Sequence, residues 1–332
     1  MSTSVEPPSI PAASAGISNS PTQSFFEHPL NIQTMLVPVD FSEASLRALE
    51  YAAPLAKRFG ATVHLVYVYD GQYKFTGISN SPVLMSDSQT IVRMKKEVQR
   101  KYPVSLTDKN CHVRCGKPFQ EISELAHEIK ADLVVMTTHG YGGWKRLTLG
   151  STAERVVRHA DCPVLVVREG TKGPVKTVQE GIVLEKILVP VDFSECAREG
   201  AKYASVFATR VGADLLLAHV IHPPDYIAAE GFPGGADWAP LAERARADAE
   251  DRLDRLVNFL PLTNISAETT VELGVPIHNL VDLTKRSDID LVITSTHGYT
   301  GLRHALIGST AEHLVRSAHC AVLVVPSHTR RE

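Results

Sequence analysis

At 332 residues the chain is too long for one ordinary core and suits two domains of typical size. Its 44% hydrophobic content is enough to fold, while a formal net charge of −3 without a dense Lys/Arg stripe leaves no electrostatic footprint for nucleic acid. No apolar run approaches the ~18 residues that a membrane span needs, so neither nucleic acid nor a membrane is expected as a partner.

Residues 1–30 are dominated by Ser, Pro, Thr and Ala and contain no Lys or Arg. A secretory signal needs a basic start and an apolar core, and a transit peptide needs Arg, so this stretch reads as a disordered tail. Beyond it, Thr34–Val39, Val63–Tyr69, Leu133–Met136 and Val164–Val167 are short apolar runs of the kind found in buried parallel strands. Between the first two, Leu49, Ala52, Ala56 and Phe59 keep one face at helical spacing, and Pro54 inside that helix predicts a kink. A glycine-containing loop from Gly140 to Gly150 then leads to a helix opening at Ser151. Residues 169–183, with Gly170, Gly173 and Pro174, read as a linker.

After the linker the pattern returns. Met35-Leu-Val-Pro-Val-Asp-Phe-Ser-Glu43 becomes Ile187-Leu-Val-Pro-Val-Asp-Phe-Ser-Glu195, an offset of 152. Thr138-His-Gly-Tyr141 becomes Thr296-His-Gly-Tyr299, and Gly150-Ser-Thr-Ala-Glu154 becomes Gly308-Ser-Thr-Ala-Glu312, now at an offset of 158. The six extra residues must enter between Gly60 and Gly116 in the numbering of the first copy. Ala197, Ala201, Ala204, Ala208 and Val211 repeat the first helical face, and the charged stretch Ala242–Phe259 reads as a helix with a solvated face. Strand–helix–strand alternation implies right-handed crossovers and two three-layer α/β domains, 31–168 and 184–327. Asp70–Gln89 and His222–Pro240, which differ between copies and are rich in Gly, Pro and Ser, are candidate lids or partner loops.

In each copy three features converge. The first strand ends in Val39-Asp40 or Val191-Asp192, the fourth runs into the glycine loop, and a helix opens at Ser151 or Ser309. Open α/β sheets bind ligands beyond the carboxyl ends of their strands where the order reverses, and a glycine-rich turn feeding a helix start suits phosphate. The same residues have plainer readings. Asp40 with Glu43 can cap the first helix, Ser151 to Glu154 fits a capping box, and His139 and His297 can hold the loop through a ring hydrogen bond. Cys111 and Cys115 lack the spacing of a redox or metal pair and have no counterparts in the second copy. With Cys162, Cys196 and Cys320 they make five scattered cysteines, which without an export signal implies reduced thiols and a cytoplasmic location. A P-loop motif, a G-x-G-x-x-G turn and a G-x-S-x-G elbow are all missing, and nothing nominates a nucleophile, a strong base or a metal site; no enzyme is expected.

Val-Pro-Val-Asp-Phe-Ser-Glu, Thr-His-Gly nine residues before Gly-Ser-Thr-Ala-Glu, and Cys162-Pro-Val-Leu-Val-Val167 together resemble the universal stress protein family, twice over, from about Thr34 to Pro326. The resemblance implies two Rossmann-like domains of the adenine nucleotide alpha hydrolase-like kind, each with a five-stranded parallel sheet of order 3-2-1-4-5. It implies ATP, with or without Mg2+, as ligand. Pro38, Val39, Asp40 and Val68 would hold adenine in the first copy, and Pro190, Val191, Asp192 and Val220 in the second. Gly140, Gly150, Ser151 and Thr152 would hold phosphates and ribose, with Thr137 and His139 in the same loop region. Their second-copy counterparts are Gly298, Gly308, Ser309 and Thr310, with Ser295 and His297. Thr137 and Ser295 stand where the ATP-binding branch has its first glycine; their hydroxyls can hydrogen-bond ribose or phosphate instead. The family dimerises through its last strand, so Val164–Val167 and Val322–Val325 would cover one another in an intrachain pseudo-dimer, with a further homodimer left open. The function implied is that of an ATP-binding stress-response regulator. A nucleotide-free interaction module is the alternative, and the sequence names no protein partner.

Overall fold

The computed structural model describes residues 30–69, 86–138, 150–168, 182–222, 238–296 and 308–326. The expected tail, the linker, the segments after the second strand of each copy and the interiors of the glycine loops lie wholly or mostly outside the described residues.

The first copy runs β1 (Thr34–Pro38), α1 (Glu43–Leu46), α2 (Ala48–Phe59), β2 (Thr62–Tyr69), α3 (Asp87–Lys101), β3 (Cys111–Cys115), α4 (Pro118–Glu128), β4 (Leu133–Thr137), α5 (Ser151–His159) and β5 (Val164–Val167). The second runs β6 (Lys186–Pro190), α6 (Glu195–Val211), β7 (Asp214–Ile221), α7 (Trp238–Phe259), β8 (Ala267–Leu273), α8 (Pro276–Arg286), β9 (Leu291–Ser295), α9 (Ser309–Ser317) and β10 (Ala321–Val325). The strands are short apolar runs because both sheet faces are covered. In β1, Met35 and Val37 enter the core on one face and Leu36 the core on the other, all at 0% exposure.

Within each copy the strands are parallel and take the order 3-2-1-4-5. The two sheets then fuse. β5 lies antiparallel to β10, with Val164 opposite Val324, Leu165 opposite Leu323 and Val166 opposite Val322. The described strands thus form one ten-stranded sheet, β3-β2-β1-β4-β5-β10-β9-β6-β7-β8. An apolar edge that would invite pairing with another chain is covered from within. The cores fuse too, since the apolar cluster on each face holds residues of both copies. On one face α2 meets α6, with the rings of Phe59 and Phe207 5.7 Å apart and Arg58 Nε donating to the Arg210 carbonyl at 2.6 Å.

The buried faces of α2 and α6 are those the spacing indicates: Leu49, Ala52, Ala56 and Phe59, and Ala197, Ala201, Ala204, Ala208 and Val211. Both helices stop at a glycine in the left-handed region, Gly60 at φ 71° and Gly212 at φ 79°. The interruption of the first-copy helix falls at Arg47, and α2 continues through Pro54. Pro54 has no N–H to bond the Glu50 carbonyl, which costs α2 one internal hydrogen bond without ending the helix. In α7 the outer residues are solvated as expected, while Ala249, Leu253 and Leu256 are buried and make the helix amphipathic.

Candidate functional site

The order 3-2-1-4-5 puts β1 between β2 and β4. The crossover from β1 to β2 covers one face and the crossover from β3 to β4 the other, so the chain diverges at their carboxyl ends and opens a crevice. The motif residues gather there. Pairing of β1 with β2 ends at Pro38 opposite Val66, and the Val39 N–H donates to the Val66 carbonyl at 2.8 Å. Alternate residues of a strand turn their backbone groups the same way, so those of Val68 project past the end of β1, beside Asp40. In the second copy the Val191 N–H donates to the Ala218 carbonyl at 2.8 Å, which leaves Val220 in the equivalent position beside Asp192.

Both aspartates begin the same local structure. Asp40 Oδ1 accepts from the Ser42 N–H at 3.0 Å and from Ser42 Oγ at 2.5 Å; Asp192 Oδ1 accepts from the Ser194 N–H at 2.9 Å. Serine, not aspartate, caps the helix. Ser42 Oγ accepts from the Ser45 N–H at 3.0 Å, and Ser194 Oγ from the Ala197 N–H at 3.1 Å. The capping reading of Asp40 therefore moves two residues on, leaving the aspartate at the crevice lip.

The capping box expected at Ser151 is absent. Gly150 is the N-cap in an extended conformation (φ −62°, ψ 138°), Ser151 is the first helical residue, and among the described residues no side chain caps the helix. Gly308 and Ser309 repeat this arrangement. Each glycine instead pins the base of its loop: the Gly150 N–H donates to the Thr138 carbonyl at 2.8 Å, and the Gly308 N–H to the Thr296 carbonyl at 2.7 Å. The starts of α5 and α9, with Ser151, Thr152, Ser309 and Thr310, are thereby held beside the ends of β4 and β9. Thr137 and Ser295 close those strands. Ser295 packs toward α6, where a Cβ placed on Gly200 would meet the Ser295 Cβ at 3.6 Å. His139, Gly140, His297 and Gly298 lie outside the described residues.

Sequence reasoning missed the residue after each aspartate. Phe41 and Phe193 have φ of 64° and 63°, a region that non-glycine residues seldom occupy. Phe41 packs against Tyr67 with ring centroids 5.0 Å apart, and the Arg93 guanidinium lies 4.1 Å from its ring. Phe193 packs against His219 at 4.5 Å, with Arg252 at 3.9 Å. His219 Nδ1 also donates to the Val191 carbonyl at 2.7 Å, and burial holds the imidazole below its ordinary pKa. The only advance signal was the repeated Asp-Phe-Ser itself.

A groove of about 1130 Å³ opens at the opposite edge of the sheet, between α2 and residues 102–110. None of the motif residues reaches it. Lys57, Arg100 and Lys101 on its rim occupy the last turns of α2 and α3, where cations complement the helix dipole. Among the described residues no three His, Cys, Asp or Glu side chains converge to hold a metal, and no helix is long and apolar enough to cross a membrane.

The Universal stress protein family model matches residues 31–168 and again 184–326. The chain belongs to the universal stress protein family. Universal stress protein MJ0531 of Methanocaldococcus jannaschii is 37% identical over 145 residues, 42% of this chain and 83% of that protein. A universal stress protein of Mycolicibacterium smegmatis is 28% identical over 196 residues, 59% of this chain and 62% of its own length. The crystal structure of a universal stress protein from Archaeoglobus fulgidus covers 89% of this chain and 98% of its own, with a TM-score of 0.55 at 19% identity, a likeness of fold. The chain is thus a tandem universal stress protein, with two family modules sharing one sheet.

Proposed function

We propose that this tandem universal stress protein binds ATP at the carboxyl edge of each module and acts as a regulatory module of the stress response, not as a catalyst. The observation that carries the reading is a helix start with a glycine N-cap, pinned to the end of the fourth strand, beside an aspartate and an overhanging strand-two backbone. Such a start offers backbone N–H groups and a positive dipole end to phosphate, while Val68 or Val220 and the aspartate offer hydrogen bonds to the base. Two occurrences of this arrangement in one chain, with the family's Gly-Ser-Thr, support both sites.

The test is thermal unfolding with ATP, with and without MgCl2. A ligand specific for the folded state stabilises it by RT ln(1 + [L]/Kd), about 2.7 kcal/mol at one hundred times Kd. We expect a shift that shrinks in Asp40→Ala and in Asp192→Ala and disappears in the double variant. No shift at millimolar ATP would reject the reading. The packing of Ser295 against Gly200, in place of the first glycine of the ATP-binding branch, favours a second reading as a nucleotide-free interaction module. Adenine nucleotide released from protein purified without added ligand would count against that alternative.

A further inference from the structure

Phe41 and Phe193 immediately follow the pocket aspartates, and their left-handed backbone is shared by both modules to within a degree, φ 64° and 63°. Asn, Asp and glycine occupy this region more readily than a bulky aromatic, so the surroundings must hold the ring in place. Among those surroundings is a guanidinium 4.1 Å from Phe41 and 3.9 Å from Phe193. The contact is not a simple retention of the duplicated sequence. By the 158 offset that relates the C-terminal parts of the copies, Arg93 aligns with Asp251; Arg252 is one residue out of step. The ion-pair partners differ as well: Arg93 is 2.7 Å from Glu97, whereas Arg252 is 3.7 Å from Asp248, one turn in the other direction. The cation over the ring is the feature that survives the change of register.

We propose that Arg93 and Arg252 are positioning residues for the two nucleotide pockets: each holds the phenylalanine that follows the pocket aspartate in its left-handed conformation, and so sets where that carboxylate points. The inference rests on the nucleotide reading above. It also gives each pocket a separate control. Arg93 is carried by α3, of 15 residues, and Arg252 by α7, of 22 residues, helices in which the copies differ strongly. Loss of the guanidinium lets the Asp-Phe turn relax toward ordinary backbone, and the aspartate leaves the position facing the overhanging valine.

Calorimetric ATP titration tests this, with Asp192→Ala isolating the first pocket and Asp40→Ala the second. We expect Arg93→Ala to weaken the first pocket by about two- to thirty-fold, the range a cation–π contact commands, and to leave the second unchanged; Arg252→Ala should do the reverse. Arg93→Lys should restore part of the affinity. Glu97→Gln, which removes the ion pair but keeps the stacked guanidinium, should keep the intact affinity. Unliganded melting midpoints separate positioning from general loosening, because positioning changes Kd in one pocket alone. Equal weakening of both pockets, or full affinity in Arg93→Ala, overturns the inference while the nucleotide reading stands. An intact protein that binds no ATP removes both together.

Discussion

Arg316 of the second module lies 3.4 Å from Glu154 of the first. Its counterpart Arg158 lies 3.8 Å from Glu312, and each arginine is also 2.7 Å from the glutamate one turn back on its own helix. Two carboxylates and two guanidiniums thus close a ring across the seam, between the helices that start at Ser151 and Ser309. Glu154 is 25% exposed and Arg316 41%, so water screens the ring substantially. We expect Glu154→Gln to cost about 0.2–1 kcal/mol and to cost less at high salt, as for other partly exposed pairs. Urea unfolding at low and high ionic strength measures this; a salt-independent loss of several kcal/mol would mean that the ring holds the seam.

The apolar contact on the opposite face of the seam should matter far more. Leu323 is fully buried and sits opposite Leu165 in the antiparallel pair. Because cores on both faces continue through the seam, Leu323→Ala should destabilise the whole chain by about 2–5 kcal/mol and leave one cooperative transition. Fluorescence and circular dichroism melts would decide the matter. Two transitions, with only the second module shifted, would show that the modules unfold independently.

Why some of this was legible in the sequence and some not has particular physical causes. Apolar runs such as Val164–Val167 must be buried on both sides, and their order in a doubled pattern leaves few topologies. Ser151 to Glu154 misled because S-x-x-E looks the same whether its serine is the N-cap or the first helical residue; Gly150's extended backbone decides it, and Glu154 turns to arginines instead. The Arg252–Phe193 contact was invisible for a deeper reason. It depends on a positive φ that phenylalanine does not favour and on a helix register one residue away from the repeat.

The cysteines should sort cleanly by burial. Burial pushes the Cys111 thiol up to about 11 and the Cys162 and Cys320 thiols up to about 12, so little thiolate forms at neutral pH. Cys115 is exposed and Cys196 half-buried. Under native conditions a thiol reagent at pH 8 should modify Cys115 first and Cys196 more slowly, with the other three reacting only on unfolding. Peptide mapping of a labelling time course identifies the sites. Early modification of Cys162 or Cys320 would show that their helix–sheet packing opens readily.

The first module should also lose stability on mild acidification, through a pair the second lacks. His64 Nδ1 lies 3.0 Å from His112 Nε2, joining β2 to β3, whereas the corresponding residues of the second copy are Leu216 and Thr270. Burial lowers the pKa of both rings; for His112 the charge of the partner ring and of Arg114 lowers it further, against an opposing pull from Glu128. One ring must donate and the other accept, so the neutral pair is satisfied, and the two rings titrate as a unit. Unfolded histidine takes up a proton near pH 6.5, while the folded pair resists until lower pH. The unfolded state therefore binds more protons below about pH 6.5, and stability falls as the pH drops from there through the depressed folded values. Above that window the pair imposes no pH dependence. His219 and His313 are lowered by burial as well and slope the same way, so His64→Gln/His112→Gln should flatten only part of the decline. Urea midpoints at pH 7.5, 6.5, 5.5 and 5.0 for intact and doubly substituted protein resolve the difference; parallel curves would show that the pair carries no share of the acid sensitivity.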